Sequence, residues 1–242
     1  MKVALCLHGL VGSTKGKNGD LLGGSDEVLE HSFRHNQENI LGLNVDVFIH
    51  SWSTELKEDI LEKYNPKRYI IEPQIQFKVP DYIKSDQHRA FAHLSRWYSY
   101  RESVKLKAEY ELQTGEVYDY ILVQRFDLCW NIKPDFANFD SNLFYVGHAG
   151  LDNKREWSDR WFISNSTSAD KFATMYDKLA EYMGPGGEFP SSKQYAGISS
   201  HFLTKFHAKK LGLKEEFIYN FGGYGSKPDD YNEVRRMYYG DK

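Results

Sequence analysis

The chain has 242 residues, 40% hydrophobic and 15% aromatic, with 31 Lys+Arg against 34 Asp+Glu for a net charge of −3. Its aromatic content excludes disorder over most of the length, and the near-neutral charge excludes a general polyanion-binding surface, so neither nucleic acid nor an anionic membrane is an expected partner. No apolar run approaches the ~20 residues of a bilayer span, and Cys6 and Cys129, far apart in apolar runs, fit neither a metal-ligand spacing nor a disulfide framework; a cytoplasmic protein is expected.

Short β-rich runs alternate with longer polar stretches, the pattern of an α/β domain with a mostly parallel sheet flanked by helices. In chain order the predicted strands are Val3–Leu7, Val45–His50, Tyr69–Ile71, Tyr120–Gln124, Leu143–Val146, Trp161–Ile163 and Phe217–Tyr219. The first, second and fourth are almost continuously apolar, as strands covered on both faces are, and should lie at the centre. Predicted helices span Ser25–Leu41, Ser85–Leu112, Asp170–Met183 and Ile198–Leu211. The second is the longest: Ala90, Leu94, Trp97, Arg101, Val104, Ala108 and Leu112 recur at steps of three and four, with Arg101 inside the apolar stripe. Gly184-Pro185-Gly186-Gly187 and Gly212 end the last two helices. Asn165-Ser166-Thr167 matches a glycosylation acceptor, but nothing resembling a secretory signal precedes it, so a chance match is expected. The segment after Phe221 is polar and glycine-rich and should cross the surface.

Three places carry candidate chemistry. The first strand runs into His8-Gly9-Leu10-Val11-Gly12-Ser13 with Lys15 and Lys17 beyond. Glycines there would let backbone N–H groups approach a phosphate, although the spacing matches neither common phosphate loop and a plain strand-to-helix turn is the alternative. His8-Gly9 also matches an esterase oxyanion turn, but no GxSxG elbow exists. Gly197-Ile198-Ser199-Ser200-His201 is its nearest approach, leaving an α/β-type hydrolase as a minor alternative. The central strand ends in Gln124-Arg125-Phe126-Asp127. Ligands collect at the carboxyl ends of strands in open α/β sheets, so Asp127 could hold a hard cation against a diphosphate; an Arg125–Asp127 ion pair is the alternative.

Four segments taken in order, Met1 to Gly9, Asp46 to Trp52, Tyr98 to Glu111 and Tyr118 to Asp127, resemble a family of bacterial and phage glycosyltransferases of the GT-A type. That family has an ALCLSG-x-x-R strand and turn, a DVFIHTW second strand, a long helix, and RFD in place of DxD. The likeness covers about residues 1 to 180. This chain departs from it at His8, where serine is usual, and at Val11-Gly12, where an arginine is common.

The resemblance implies one GT-A-like domain over 1–242, with a nucleotide-binding half (1–127) and an acceptor and sugar half (128–242). It implies a nucleotide-sugar donor, a glycan or other hydroxyl acceptor, and Mg²⁺ or Mn²⁺ on Asp127. His8, Gly9, Ser13, Lys15, His50, Trp52, Arg101 and Arg125 would face the nucleotide or diphosphate. For Trp52 a core position, and for Arg101 snorkelling or pairing with a carboxylate, are the structural alternatives. Trp157 to Asn165 resembles the family's D-x-x-F-I-x-x-S segment and marks Asp159 as the catalytic candidate; pairing with Arg160 or capping a turn would also account for it. A carbohydrate- or nucleotide-binding protein without turnover is the reading from a different class.

Overall fold

The computed structural model describes residues 1–11, 26–81, 83, 87–148, 157–189, 200–222 and 233–236. Along them run β1 (Val3–Gly9), α1 (Asp26–Asn39), β2 (Val45–Ser51), α2 (Lys57–Tyr64), β3 (Arg68–Ile71), α3 (Gln87–Thr114), β4 (Tyr120–Arg125), β5 (Leu128–Trp130), β6 (Phe144–His148), β7 (Trp161–Ser164), α4 (Ser166–Ala173), α5 (Met175–Met183), α6 (Ser200–Lys210), β8 (Glu215–Gly222) and β9 (Val234–Arg236). The fold is mixed α/β, with strands in the order β3-β2-β1-β4-β7-β6-β8-β9-β5. The three most apolar strands, β2, β1 and β4, are adjacent and parallel, and β3 continues the parallel set. β7 runs antiparallel to both of its neighbours, and β8 is parallel to β6.

Both faces of the sheet are covered, as the unbroken apolar runs require. Val3, Leu5, Leu7, Val47 and Ile49 pack with Leu29 of α1 and with Ile60 and Tyr64 of α2. On the opposite face Ala4, Cys6, Phe48, Ile121 and Val123 pack with α3 and, farther out, with Phe172, Leu179 and Leu203 of α4, α5 and α6. Burial pushes the Cys6 thiol up, and both cysteines are buried. No helix among the described residues is long and apolar enough to cross a membrane.

All seven predicted strands are present, some extended by a few residues. The sequence reading omitted α2, β5 and β9. The expected helix over Asp170–Met183 is two: α4 begins at Ser166 and hands over to α5 at Thr174. Asn165, the glycosylation match, is the N-cap of α4, its side-chain oxygen accepting the Ser168 N–H at 2.7 Å while its amide donates to the Ser141 carbonyl. The beginnings expected for helices at Ser25, Ser85 and Ile198, and most of the polar stretch after Phe221, lie outside the described residues.

The apolar stripe of α3 is corrected in part. Ala90, Leu94, Trp97 and Val104 are buried, but Arg101 is partly exposed and Leu112 is 88% exposed. The buried face turns instead through Ser95, Ser99, Ser103 and Lys107, four apart. Small side chains at these steps let the helix lie close on β1 and β2, which a count of apolar residues does not register. Lys107 is fully buried, and its ammonium donates to Glu111 at 2.8 Å, Ser166 at 2.6 Å and Asp170 at 2.6 Å. Removing the cation leaves the largely buried Glu111 carboxylate without its counter-charge. Lys107→Ala is expected to lower unfolding stability by about 3 kcal/mol, read from urea denaturation.

Candidate functional site

In-register parallel pairing aligns the carboxyl ends of the central strands. His8 of β1 lies opposite His50 of β2 on one side and Arg125 of β4 on the other, while Gly9 lies opposite Ser51. Paired residues in such a ladder point to one face. Here it is the α3 face: the His8 ring packs edge-on against Tyr100 at 5.3 Å, and His50 meets Ser99 and Tyr98.

Ser99 ties the helix to both strand ends. Its Oγ accepts the Gly9 N–H at 2.8 Å and lies 2.7 Å from His50 Nδ1. His50 Nε2 lies 3.2 Å from the Glu72 carboxylate, which can only accept, so Nε2 carries the proton and Nδ1 accepts from the Ser99 hydroxyl. Burial lowers the His50 pKa to about 4, and the ring is neutral at neutral pH. The Gly9 carbonyl is also used, accepting from the Ser51 hydroxyl at 2.9 Å and the Trp52 N–H at 3.4 Å. The Val11 N–H donates to Ser53 at 3.0 Å. Gly9, at φ +93°, adopts a conformation that favours glycine, with open space where a Cβ would stand. The expectation that its backbone N–H cradles a phosphate is corrected, because Ser99 already occupies that donor.

Beyond these ends lies a cluster of charges from three elements. Arg125 donates through Nε and Nη2 to the two oxygens of Asp127, at 2.8 and 2.6 Å. Arg96, on α3 one turn before Ser99, donates through Nη1 to Asp159 at 2.5 Å. Because β7 runs antiparallel, Asp159 and Arg160 arrive at this edge immediately before their strand rather than after it. His201 Nδ1, at the start of α6, is 3.8 Å from Asp159 and 2.8 Å from the Trp157 carbonyl.

The polar bookkeeping of the cluster is incomplete. Arg96 Nε and Nη2, His8 Nδ1 and Ser158 Oγ are buried and have no partner among the described residues. Such donors cost about 1–3 kcal/mol each when left unsatisfied. Burial pulls Arg96 down to about 10, with Arg125 and Arg160 adding to the effect against Asp159, so it remains charged. His8 is held well below its ordinary range by burial and then by Arg96 and Arg125. Asp159 is held far below the usual carboxylate range: burial would raise it, but Arg96, His201, Arg160 and Arg125 together overcome that.

His8 and Arg125 are therefore brought together with Asp127 and Asp159, and His50 flanks them through Ser99. Trp52 and Arg101 make other contacts. Trp52 is buried edge-on to His50 at 4.6 Å and stacked on Tyr98, a core position. The Arg101 guanidinium lies between the Tyr98 and Tyr176 rings, at 4.8 and 4.6 Å, and is neutralised by Glu102 and Asp177. Ser13 and Lys15 lie outside the described residues.

Arg96 was missed by the sequence reading. It stands beside Trp97, off the apolar stripe, and only its place one turn from a buried serine could have marked it.

Asp127 does not fit a divalent cation as it is held. It is fully buried, and the Arg125 fork bonds both of its oxygens. Among the described residues no three His, Cys, Asp or Glu side chains are grouped to hold an ion. For the hydrolase alternative, Ser199 is outside the described residues, while Ser200 is buried with its hydroxyl on His93 Nδ1 at 2.7 Å.

No family model matches the chain, and no curated protein sequence matches it. Similar solved structures exist. One, from Desulfovibrio desulfuricans G20, is assigned as a nucleotide-diphospho-sugar transferase: 13% identity, over 90% of this chain and 80% of that one, TM-score 0.44. A second is a glycosyltransferase involved in glycosylation of the major capsid of PBCV-1: 9% identity, 98% of this chain and 91% of that one, TM-score 0.43. A third is the CTP:phosphocholine cytidylyltransferase of Streptococcus pneumoniae: 12% identity, 98% of this chain and 93% of that one, TM-score 0.46. The activities named belong to those three proteins.

The buried histidines make stability pH-dependent. His50 and His207 both titrate near 4 because of burial, below the ordinary 6.5. The unfolded chain therefore binds more protons, and stability present above about pH 6.5 is lost as pH falls toward 4. His50 alone accounts for about 3 kcal/mol of this. The denaturation midpoint should fall steadily below about pH 6.5, and His50→Gln should flatten part of that slope.

Proposed function

We propose that the chain is a glycosyltransferase that takes a nucleotide-sugar donor and passes the sugar to a hydroxyl of a glycan or other acceptor in the cytoplasm. The observation that carries this reading is the meeting of Arg96, Arg125 and His8 at the carboxyl ends of β1, β2 and β4, with buried polar atoms that have no partner among the described residues. Ligands of open α/β sheets collect at this edge, and a cluster with unsatisfied guanidinium donors is complementary to a phosphate. The resemblance of residues 1 to 180 to GT-A-type glycosyltransferases supports the same reading and extends it to a sugar donor.

In this reading residues up to Asp127 form the nucleotide side and the second half forms the sugar and acceptor side. Transfer breaks the bond between the anomeric carbon and the diphosphate oxygen, whose electron pair stays with the departing diphosphate. Positive charge fixed at that oxygen stabilises the departure. The acceptor hydroxyl oxygen forms the new bond to the anomeric carbon, and its proton passes to an oxygen of the departing diphosphate. Asp159 stays ionised beside Arg96, so it suits a hydrogen bond to a sugar or acceptor hydroxyl better than the uptake of a proton.

That feature also favours a second reading, a nucleotide- or carbohydrate-binding protein of the same fold without turnover. Calorimetry with UDP- and GDP-sugars, followed by assay for released nucleoside diphosphate, separates the two. The transferase reading expects binding of one donor and slow release of its diphosphate, with Asp159→Asn reducing release more than binding. Binding with no release for any donor or acceptor selects the second reading, and no binding of any donor rejects the transferase reading.

A further inference from the structure

We propose that guanidinium groups stand where a divalent cation would be expected, and that Arg96 and Arg125 hold the donor's diphosphate directly. The proposal rests on the nucleotide-sugar reading above and identifies the charge that serves it. It begins from a disagreement: the carboxylate placed to hold a metal is already gripped by Arg125.

The two arginines show the same edge in two states. In Arg125 the Nε and Nη2 edge makes paired bonds to the two oxygens of Asp127. In Arg96 that edge has no acceptor among the described residues, because its single bond to Asp159 runs through Nη1. The Nε–Nη2 edge presents two parallel N–H groups, a spacing that matches two oxygens of a carboxylate or of a phosphate. Arg96 therefore holds a planar bidentate edge in place against Asp159, with both nitrogens of that edge buried. His8 Nδ1, also without a partner, is the third polar atom at the same strand ends.

The charges favour an anion there over a cation. Arg96, Arg125 and Arg160 influence one another electrostatically, and the carboxylates that oppose them, Asp127 and Asp159, are both in direct bonds to arginine. A divalent ion on Asp127 would have to displace Arg125 and then sit beside the displaced guanidinium. A diphosphate needs no such displacement. It can take the buried, unpaired Arg96 edge and bring its remaining charge toward Arg125, with Asp127 holding that guanidinium in place. Lysine at position 96 would keep the charge and lose the two-point fit.

The test is the binding of UDP and GDP to the full chain by calorimetry, in EDTA and in excess MnCl₂ or MgCl₂, with thermal unfolding to confirm that each variant is folded. One nucleoside diphosphate is expected to bind in EDTA with an affinity that added metal changes by less than about threefold. Arg96→Lys should weaken it about tenfold or more, the loss that follows when a charge-assisted bidentate contact becomes a point charge. Asp127→Asn should still bind in EDTA. Binding that requires the metal and disappears in Asp127→Asn would overturn the proposal and leave the donor reading intact. Unchanged affinity in a folded Arg96→Lys overturns it as well. No binding of either diphosphate under any condition removes the donor reading and this proposal together.

Discussion

The hydroxyl of Ser99 fixes the relation between the longest helix and the ends of the two central strands. It accepts the Gly9 N–H and donates to His50, whose other nitrogen is held by Glu72, so one side chain satisfies β1 and β2 at once. The contact works only because serine is small enough to let α3 approach the sheet, together with Ser95 and Ser103 along the same face. Arg96 lies one turn earlier on the same helix, so its position beyond the strand ends follows from that approach. The backbone after β1 is tied down by the same bonds, which leaves the Gly9 N–H and carbonyl already paired within the protein.

The net charge of −3 is compatible with a local excess of positive charge because the cluster draws on elements distant in sequence: Arg96 from α3, Arg125 from β4, and Arg160 from the approach to β7. Each carboxylate here keeps a guanidinium in place. In a low-dielectric setting this arrangement costs stability unless its donors are satisfied, and the Arg96 edge, unpaired among the described residues, is such a cost. Buried paired charge elsewhere has a different character. Lys107 has three acceptors and joins α3 to α4, a complete set with nothing left to offer.

Much of the fold was legible because it is written in local patterns. The continuous apolar runs of β1, β2 and β4 identified the centre of the sheet. The strands β5 and β9 escaped because each is three residues long and they pair across about a hundred residues of chain, leaving no local signal. The helix α2 escaped because only Ile60 and Tyr64 within it are buried. At the site, Arg125 and Asp127 were found from their place at a strand end, although their bond to each other was one of two open readings. Arg101 and Trp52 drew notice as an unusual cation and an aromatic near a strand end, yet Arg101 is stacked between tyrosines and Trp52 is core. Arg96 was hidden because the face it borders is made of serines, which hydrophobic periodicity does not count.

The reversed direction of β7 has a consequence for how the site tolerates change in length. The register of this strand against β4, with Ile163 opposite Leu122 and Trp161 opposite Gln124, is what aims Asp159 at Arg96. At the other end Asn165 is anchored as a helix cap and to the Ser141 carbonyl. The four residues of β7 therefore act as a ruler between a fixed cap and the charge cluster. A slip of one residue would invert the strand's faces and offer Ser158 or Arg160 where the carboxylate now stands. Gaining or losing a single residue in β7 would reassign the charge facing Arg96, something no substitution within the strand itself would do.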